Sequence, residues 1–365
     1  MKVALSAVAA GALVVAGTVL VGGMRSDQGD SSSEPGRNAA LASAPPVAPA
    51  APLAPPAPDA SAQADQEAAR QAEQRDKAKA AKKNRASSDS SGIAQVACTK
   101  QVTSAAALTQ ALSGAQAGDK ICAAGNMAAS RLSISKGGTP ANPVQVIGSG
   151  ATVVKGITVT ASNVVVAGFS AVGAQAPGIS LNGSNITVRN NTVKHPTGGD
   201  YDGLRFFGKN LKILNNTITD INPDGSGAHA DCMQTFATDK QSPASQNVLI
   251  SGNKCQRIDN QCLIAEGPHS SAGDGSGQGT SSNISFVNNV CEVGASQATE
   301  IDDVQNVRVS GNTILGKPDK AFSFQNKSTG AVVTANKIAS GIGYEVGMDG
   351  TSKTGYQGPA VGGGP

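Results

Sequence analysis

Seven short segments of this chain superimpose, and their repetition restricts the fold more tightly than any other feature. They read NVVVAGF from Asn163, NITVRNNTV from Asn185, NLKILNNTI from Asn210, NVLISGNKC from Asn247, NISFVNNVC from Asn283, NVRVSGNTI from Asn306 and GAVVTANKI from Gly330. Start-to-start spacings are 22, 25, 37, 36, 23 and 24 residues. Two residues into each segment the side chain varies freely, whereas its neighbours on either side are almost all aliphatic, as in Val164/Val166, Leu211/Ile213 and Val307/Val309. Such period-two alternation marks a strand with one buried face. Six residues after each start, from the second segment to the last, stands asparagine, at 191, 216, 253, 289, 312 and 336. Asparagine tolerates left-handed backbone and suits a tight bend, and its amides can hydrogen-bond from one coil to the next. Two residues later the chain turns inward again, at Val193, Ile218, Cys255, Cys291, Ile314 and Ile338. A strand, a bend and a second short strand recurring every 22–25 residues describe an all-β parallel solenoid.

Composition agrees. Ten aromatics, no tryptophan and 44 glycines in 365 residues are too few large side chains for an ordinary sandwich, but suit small rungs stacked as aliphatic ladders. Residues 93–365 carry nineteen Lys/Arg against seventeen Asp/Glu, so no basic stripe exists to grip a phosphate backbone, and nucleic acid is excluded as a partner.

Given these repeats, the chain resembles the right-handed parallel β-helix proteins of the pectate-lyase-like superfamily. LTQALSGAQAGDKICAAG from Leu108 looks like their amphipathic capping helix and Gly-Asp turn, and GTPANPVQVIGSGATVVKGITV resembles the opening coils of the chondroitinase-B-like and alginate-lyase-like branch. The resemblance implies a glycan-active or glycan-binding protein, since the superfamily holds lyases, hydrolases, epimerases, esterases and phage tailspikes. The reactive-site elements of polygalacturonases and pectate lyases are absent, as is the arginine-histidine-glycine run of close chondroitinase-B relatives.

The ends of the chain read differently. Lys2 precedes an apolar run from Val3 to Val21, so residues 1–24 read as a secretory signal or signal anchor. The Ala/Pro-rich and charged stretch 25–92 reads as a disordered linker, 93–345 as the β-helix, and 346–365 as a disordered Gly-rich tail. The expected location is extracellular, or tethered to the outer face of a membrane through that N-terminal segment alone, with the protein a monomer. Six cysteines fit an exported chain. Their positions predict the disulfides Cys98–Cys122, Cys232–Cys262 and Cys255–Cys291, the last two joining equivalent positions of successive coils.

Chemistry is expected on another strand of each coil: YDGLRFF from Tyr201, ADCMQTF from Ala230, NQCLIAE from Asn260, TEIDDV from Thr299 and AFSFQN from Ala321. The two oversized coils place their extra length around these strands, as a cleft requires. Aligning Leu204, Met233, Leu263 and Ile301 as inward residues puts Arg205, Gln234, Ile264 and Asp302 in one outward column. HADCMQ from His229 is the sharpest motif and resembles an H-x-D-x-x-Q pattern of secreted β-helix proteins acting on uronic-acid polymers. Removing the proton beside a uronate carboxylate needs a cation to neutralise that carboxylate and a base to take the proton. His229, Asp231, Gln234, Arg205 and Tyr201 are therefore the candidate catalytic residues, with Arg205 the fixed cation. Asp202, Phe236 and His269 are candidate substrate contacts, and Asp231, Glu266, Asp302 and Asp303 candidate calcium ligands. His229 is preferred over His269 as base because His269 lies in a Gly-Ser loop. These residues predict a lyase or epimerase acting on an acidic polysaccharide. The alternative is a non-catalytic protein binding glycan or wall polymer at the cell surface.

Overall fold

In the computed structural model, residues 97–128, 130–270 and 278–365 are described. The expected signal and the whole of the expected linker lie outside them. All paired strands run parallel, and the chain winds as a β-helix with three faces. The first face carries the sequence repeats. Its inward residues stack in register as Val166, Val188, Ile213, Ile250, Phe286, Val309 and Val333. The second face stacks Val193, Ile218, Cys255, Cys291, Ile314 and Ile338. The third stacks Ile179, Leu204, Met233, Leu263, Thr299, Phe322 and Val346. Nearly every member of these columns is fully buried. Each methylene so removed from water stabilises by about 0.8 kcal/mol, and a slip of one residue would expose a whole column.

The first end is closed by the helix Ala105–Ser113. Ser104 caps it, its hydroxyl accepting from the Ala107 N–H at 3.2 Å, and Leu108 and Leu112 are its buried side. At the other end the expected tail is instead a further coil. Tyr344–Met348 pairs in parallel with Lys320–Gln325, and Val361–Gly363 adds a last strand. Glycine makes this packing feasible rather than disordering it. A Cβ at Gly362 would lie 2.4 Å from the Tyr344 Cβ, and one at Gly363 2.8 Å from the Tyr344 hydroxyl. Lacking side chains, this segment lies directly against that ring, and main-chain pairing substitutes for apolar burial.

The asparagine column forms a ladder between the first two faces. The main-chain N–H and Nδ2 of Asn191 donate to Asn216 Oδ1 at 3.0 and 3.1 Å, and the pattern repeats through Asn253, Asn289, Asn312 and Asn336. The left-handed bend falls one residue earlier than expected, at Asn190, Asn215, Gly252, Asn288, Gly311 and Ala335. That leaves the next asparagine free to point inward and satisfy buried main chain.

Cys98 is bonded to Cys122, but the other four cysteines pair as Cys232–Cys255 and Cys262–Cys291, not as Cys232–Cys262 and Cys255–Cys291. Cys255 and Cys291 do stack in register. Stacked side chains leave their strands side by side, however, which holds their Cβ atoms near the ~4.8 Å strand spacing, beyond the ~3.8 Å a disulfide favours. Each bridge instead joins a residue just before a third-face strand to a second-face residue 23 or 29 positions on, with Cα atoms 5.9 and 5.8 Å apart.

Candidate functional site

Outward residues of the third face form two columns. One contains Ser180, Arg205, Gln234, Ile264, Glu300 and Ser323. The other places Glu266 against Asp302 and Asp302 against Gln325. The expected register thus fails by two residues in one strand. Thr299, not Ile301, lies beside Leu263, and Ile301 lies beside Ala265. Both are fully buried, so alternation assigns the face correctly but cannot choose between them. The shift moves Asp302 out of the Arg205 column and brings in Glu300, which the sequence reading missed. Its signal was present: in TEIDD, Glu300 and Asp302 are two apart and share a face.

Glu266, Glu300 and Asp302 each bring one carboxylate oxygen within 4.8 Å of the others. Side-chain amides hold two of them. Glu300 Oε2 accepts from Gln261 Nε2 at 3.0 Å and Gln297 Nε2 at 2.8 Å, while its Oε1 accepts from Gln325 Nε2 at 3.2 Å. Asp302 accepts from Gln325 Nε2 at 2.9 Å and Asn326 Nδ2 at 2.7 Å. Glu266 and Glu300 line a cleft of about 630 Å³ together with His229, Gln234 and Gln261. Gln234 and Gln261 are buried there, and their Oε1 atoms have no hydrogen-bond partner. Three carboxylates with further amide oxygens nearby are an all-oxygen donor set suited to a hard cation such as calcium. Like charges this close repel strongly unless neutralised.

The other expected ligands lie elsewhere. Asp231 is fully buried; its Oδ1 accepts from Asn260 Nδ2 at 2.9 Å and from the Gln261 N–H at 3.0 Å. Burial, then the charge of Asp202, pushes its carboxyl up to about 9. Asp231 is therefore a neutral acid at neutral pH, ill suited to bind calcium or to act as a base. Asp303 takes a left-handed φ of 54° and turns away from the trio toward His269.

Nor is Arg205 a ready cation for substrate. Its Nη2 donates to Asp200 Oδ2 at 2.7 Å and to Asp202 Oδ2, its Nε donates to the same Asp202 oxygen at 3.1 Å, and the guanidinium lies 5.3 Å from the centre of the Phe236 ring. Two carboxylates already compensate its charge. Asp202 is buried, its Oδ1 accepting from the Asp231 N–H at 3.0 Å, so it braces successive coils rather than meeting substrate. Burial raises its carboxyl above the ordinary range, against the pull of Arg205. Phe236 packs edge-to-face on Phe207, ring centres 5.0 Å apart. Tyr201 is half-buried against the core. Of the expected residues, the cleft gathers His229, Gln234 and Glu266, with Asp302 completing the trio.

The right-handed β-helix family model matches residues 142–338, and the chain belongs to that family. No curated protein matches it. Solved structures similar to it include AlyGC, an alginate lyase of polysaccharide lyase family 6, at 14% identity and TM-score 0.44, covering 68% of this chain and 40% of that one. An alginate lyase from Paenibacillus sp. str. FPU-7 is 15% identical at TM-score 0.39, with 72% and 99% covered. A tailspike protein of E. coli bacteriophage HK620, in complex with pentasaccharide, is 14% identical at TM-score 0.40, with 66% and 53% covered. The chain thus spans 40% of the length of AlyGC. Among the described residues no helix is long and apolar enough to cross a membrane.

Proposed function

We propose that this protein is exported and acts as a monomer on a uronate-containing polysaccharide, removing the proton beside the uronate carboxylate as a lyase or epimerase does. The observation that carries this reading is the trio Glu266, Glu300 and Asp302 beside an open cleft on the third face. A polyanion has no reason to enter an acidic cleft unless a cation is shared between the two. Glu266, Glu300 and Asp302 would hold calcium, which when bound neutralises the substrate carboxylate and acidifies the adjacent C–H. The chain's own contribution is to aim the trio. Gln261, Gln297, Gln325 and Asn326 fix Glu300 and Asp302, while neutral Asp231 ties Asn260 and Gln261 to the cleft wall without adding charge.

The test is a panel of uronate polymers incubated with the full chain, with calcium or with chelator. Unsaturated product is followed by its absorbance, and epimerised product by the proton spectrum of the polymer. Calcium-dependent turnover of at least one polymer is the expected result. Calcium-dependent binding without turnover would instead leave a glycan-binding protein, a reading favoured by the full compensation of Arg205 by Asp200 and Asp202.

A further inference from the structure

We propose that His269, positioned by Asp303, is the group that takes the substrate proton; the inference rests on the lyase or epimerase reading of this face. The two residues come from successive coils. After the strand Leu263–Glu266 the chain turns through Gly267, whose N–H donates to the Asp302 carbonyl at 2.7 Å. Only glycine fits there, since a Cβ would lie 2.0 Å from the Asp303 carbonyl oxygen and 2.6 Å from Asp303 Oδ2. That close approach brings one carboxylate oxygen onto two donors. Asp303 Oδ2 accepts from the His269 N–H at 2.8 Å and lies 3.0 Å from His269 Nδ1. Gln305 Nε2 donates to the other oxygen at 3.4 Å.

Exposure divides the pair by task. The Asp303 side chain is 10% exposed and the His269 side chain 68%. A buried carboxylate that fixes both the main chain and the ring of a histidine selects the tautomer with the proton on Nδ1, leaving the lone pair on Nε2. The ring borders a cleft of about 650 Å³ that also contains Lys327 and Asn326. Asn326 Nδ2 donates to Asp302 Oδ1, so this cleft adjoins the carboxylate trio directly. Lys327 supplies a positive charge for an acidic polymer, its main-chain N–H anchored on Thr351 Oγ1 at 2.9 Å. His229, by contrast, is exposed at the rim of the first cleft, and no hydrogen bond among the described residues orients its ring.

In the step this implies, His269 Nε2 takes the proton beside the carboxylate. The C–H electron pair forms the new ring double bond, the bond from the neighbouring carbon to the glycosidic oxygen breaks, and the imidazolium returns the proton to that oxygen. No further reactant is needed. In an epimerisation His269 takes the same proton, a solvent water on the opposite face of the ring delivers its replacement, and the imidazolium returns its proton to the hydroxide so formed through solvent.

The experiment uses the full chain and a polymer that wild type turns over with calcium. His269→Ala is expected to lower kcat at least ~100-fold with KM within about twofold, the range for loss of a general base, and added imidazole should restore part of the rate. Asp303→Asn, which suits the left-handed backbone, should lower kcat about tenfold at unchanged KM, and Asp303→Glu should recover part of that loss. Both His269→Ala and Asp303→Asn should keep the wild-type melting shift on adding calcium. A His269→Ala protein with kcat within threefold of wild type overturns the assignment and leaves the function standing. So does loss of activity together with the calcium shift, since the defect would then lie in the fold or the trio. Wild type that turns over no polymer overturns the function and this inference together, and is seen before any variant is compared.

Discussion

Two regions of this β-helix stack polar side chains at the strand spacing, with opposite consequences. In the asparagine ladder each amide is both donor and acceptor, so every rung satisfies the next, and repetition through Asn191, Asn216, Asn253, Asn289, Asn312 and Asn336 strengthens the coil. On the third face, Glu266 and Asp302 stack in register and Glu300 lies two residues along the strand from Asp302; all three only accept when ionised, and their charges repel. Three of the four amide side chains around them have one thing in common: Gln261, Gln297 and Gln325 each turn an N–H₂ group toward Glu300. A β-helix thus extends a neutral ladder at no electrostatic cost, whereas a carboxylate stack needs donors, protons or a cation. The same contrast separates the trio from Asp231, which answers burial beside Asp202 by remaining protonated.

The comparison can be broken or sharpened at several points. The largest stability change is expected where the coil is covalently closed. The pair Cys232→Ser with Cys255→Ser should cost about 3 kcal/mol in denaturant unfolding, the loop-closure contribution of a bridge of this length. Non-reducing peptide mapping that recovered Cys232 linked to Cys262 would contradict the pairing. Next comes Asn253→Ala, which strips Asn216 of its acceptor and leaves buried donors unmet, for a loss of about 2 kcal/mol in the same measurement. Loss below a few tenths would mean the ladder is ornamental to stability.

A substitution in the trio should have the reverse sign. Glu300→Gln removes one repelling charge and is expected to raise the chelated protein's melting temperature while abolishing the shift that calcium gives wild type. A melting temperature that falls, with the calcium shift intact, would show that the trio is not under electrostatic tension. A further expected effect concerns Asp231 and pH. Its folded value of about 9 exceeds the ordinary 3.8, so the folded state holds a proton that the unfolded state has lost between those values. Its contribution to stability is therefore present below about pH 4 and is lost as pH rises toward 9. Asp231→Asn should flatten this part of the stability–pH curve and gain relative to wild type at pH 8. Parallel curves for the two proteins would mean Asp231 is ionised in the folded state.

The repeats were legible in the sequence because a solenoid reuses one local rule. Aliphatic residues two apart, an asparagine and a turn inward specify each rung without long-range information, and so the fold, its capping helix and the strands that carry Glu266 and Asp302 could be read directly. What depended on side chains meeting across coils could not. Thr299 and Ile301 both face inward, and only the packing of Leu263 and Ala265 decides which lies beside which, thereby placing Glu300 beside Ile264 and Asp302 beside Glu266. Cysteine columns were visible, but the direction of each Cβ was not, and so the bridges cross a corner instead of climbing a stack. The glycine-rich end has little apolar side chain to bury, yet it packs because Tyr344 provides a ring surface that only glycine can approach so closely. Arg205 looked like an available cation until the structure brought Asp200 and Asp202 onto it. Sequence alone determined the period and the faces, which are local properties of the backbone. The tertiary structure decided register and disulfide pairing, because each of these is a distance between residues that the chain brings together only after a full turn; the compensation of Arg205 by Asp200 and Asp202 is local, but it depends on side-chain directions that the sequence pattern does not specify.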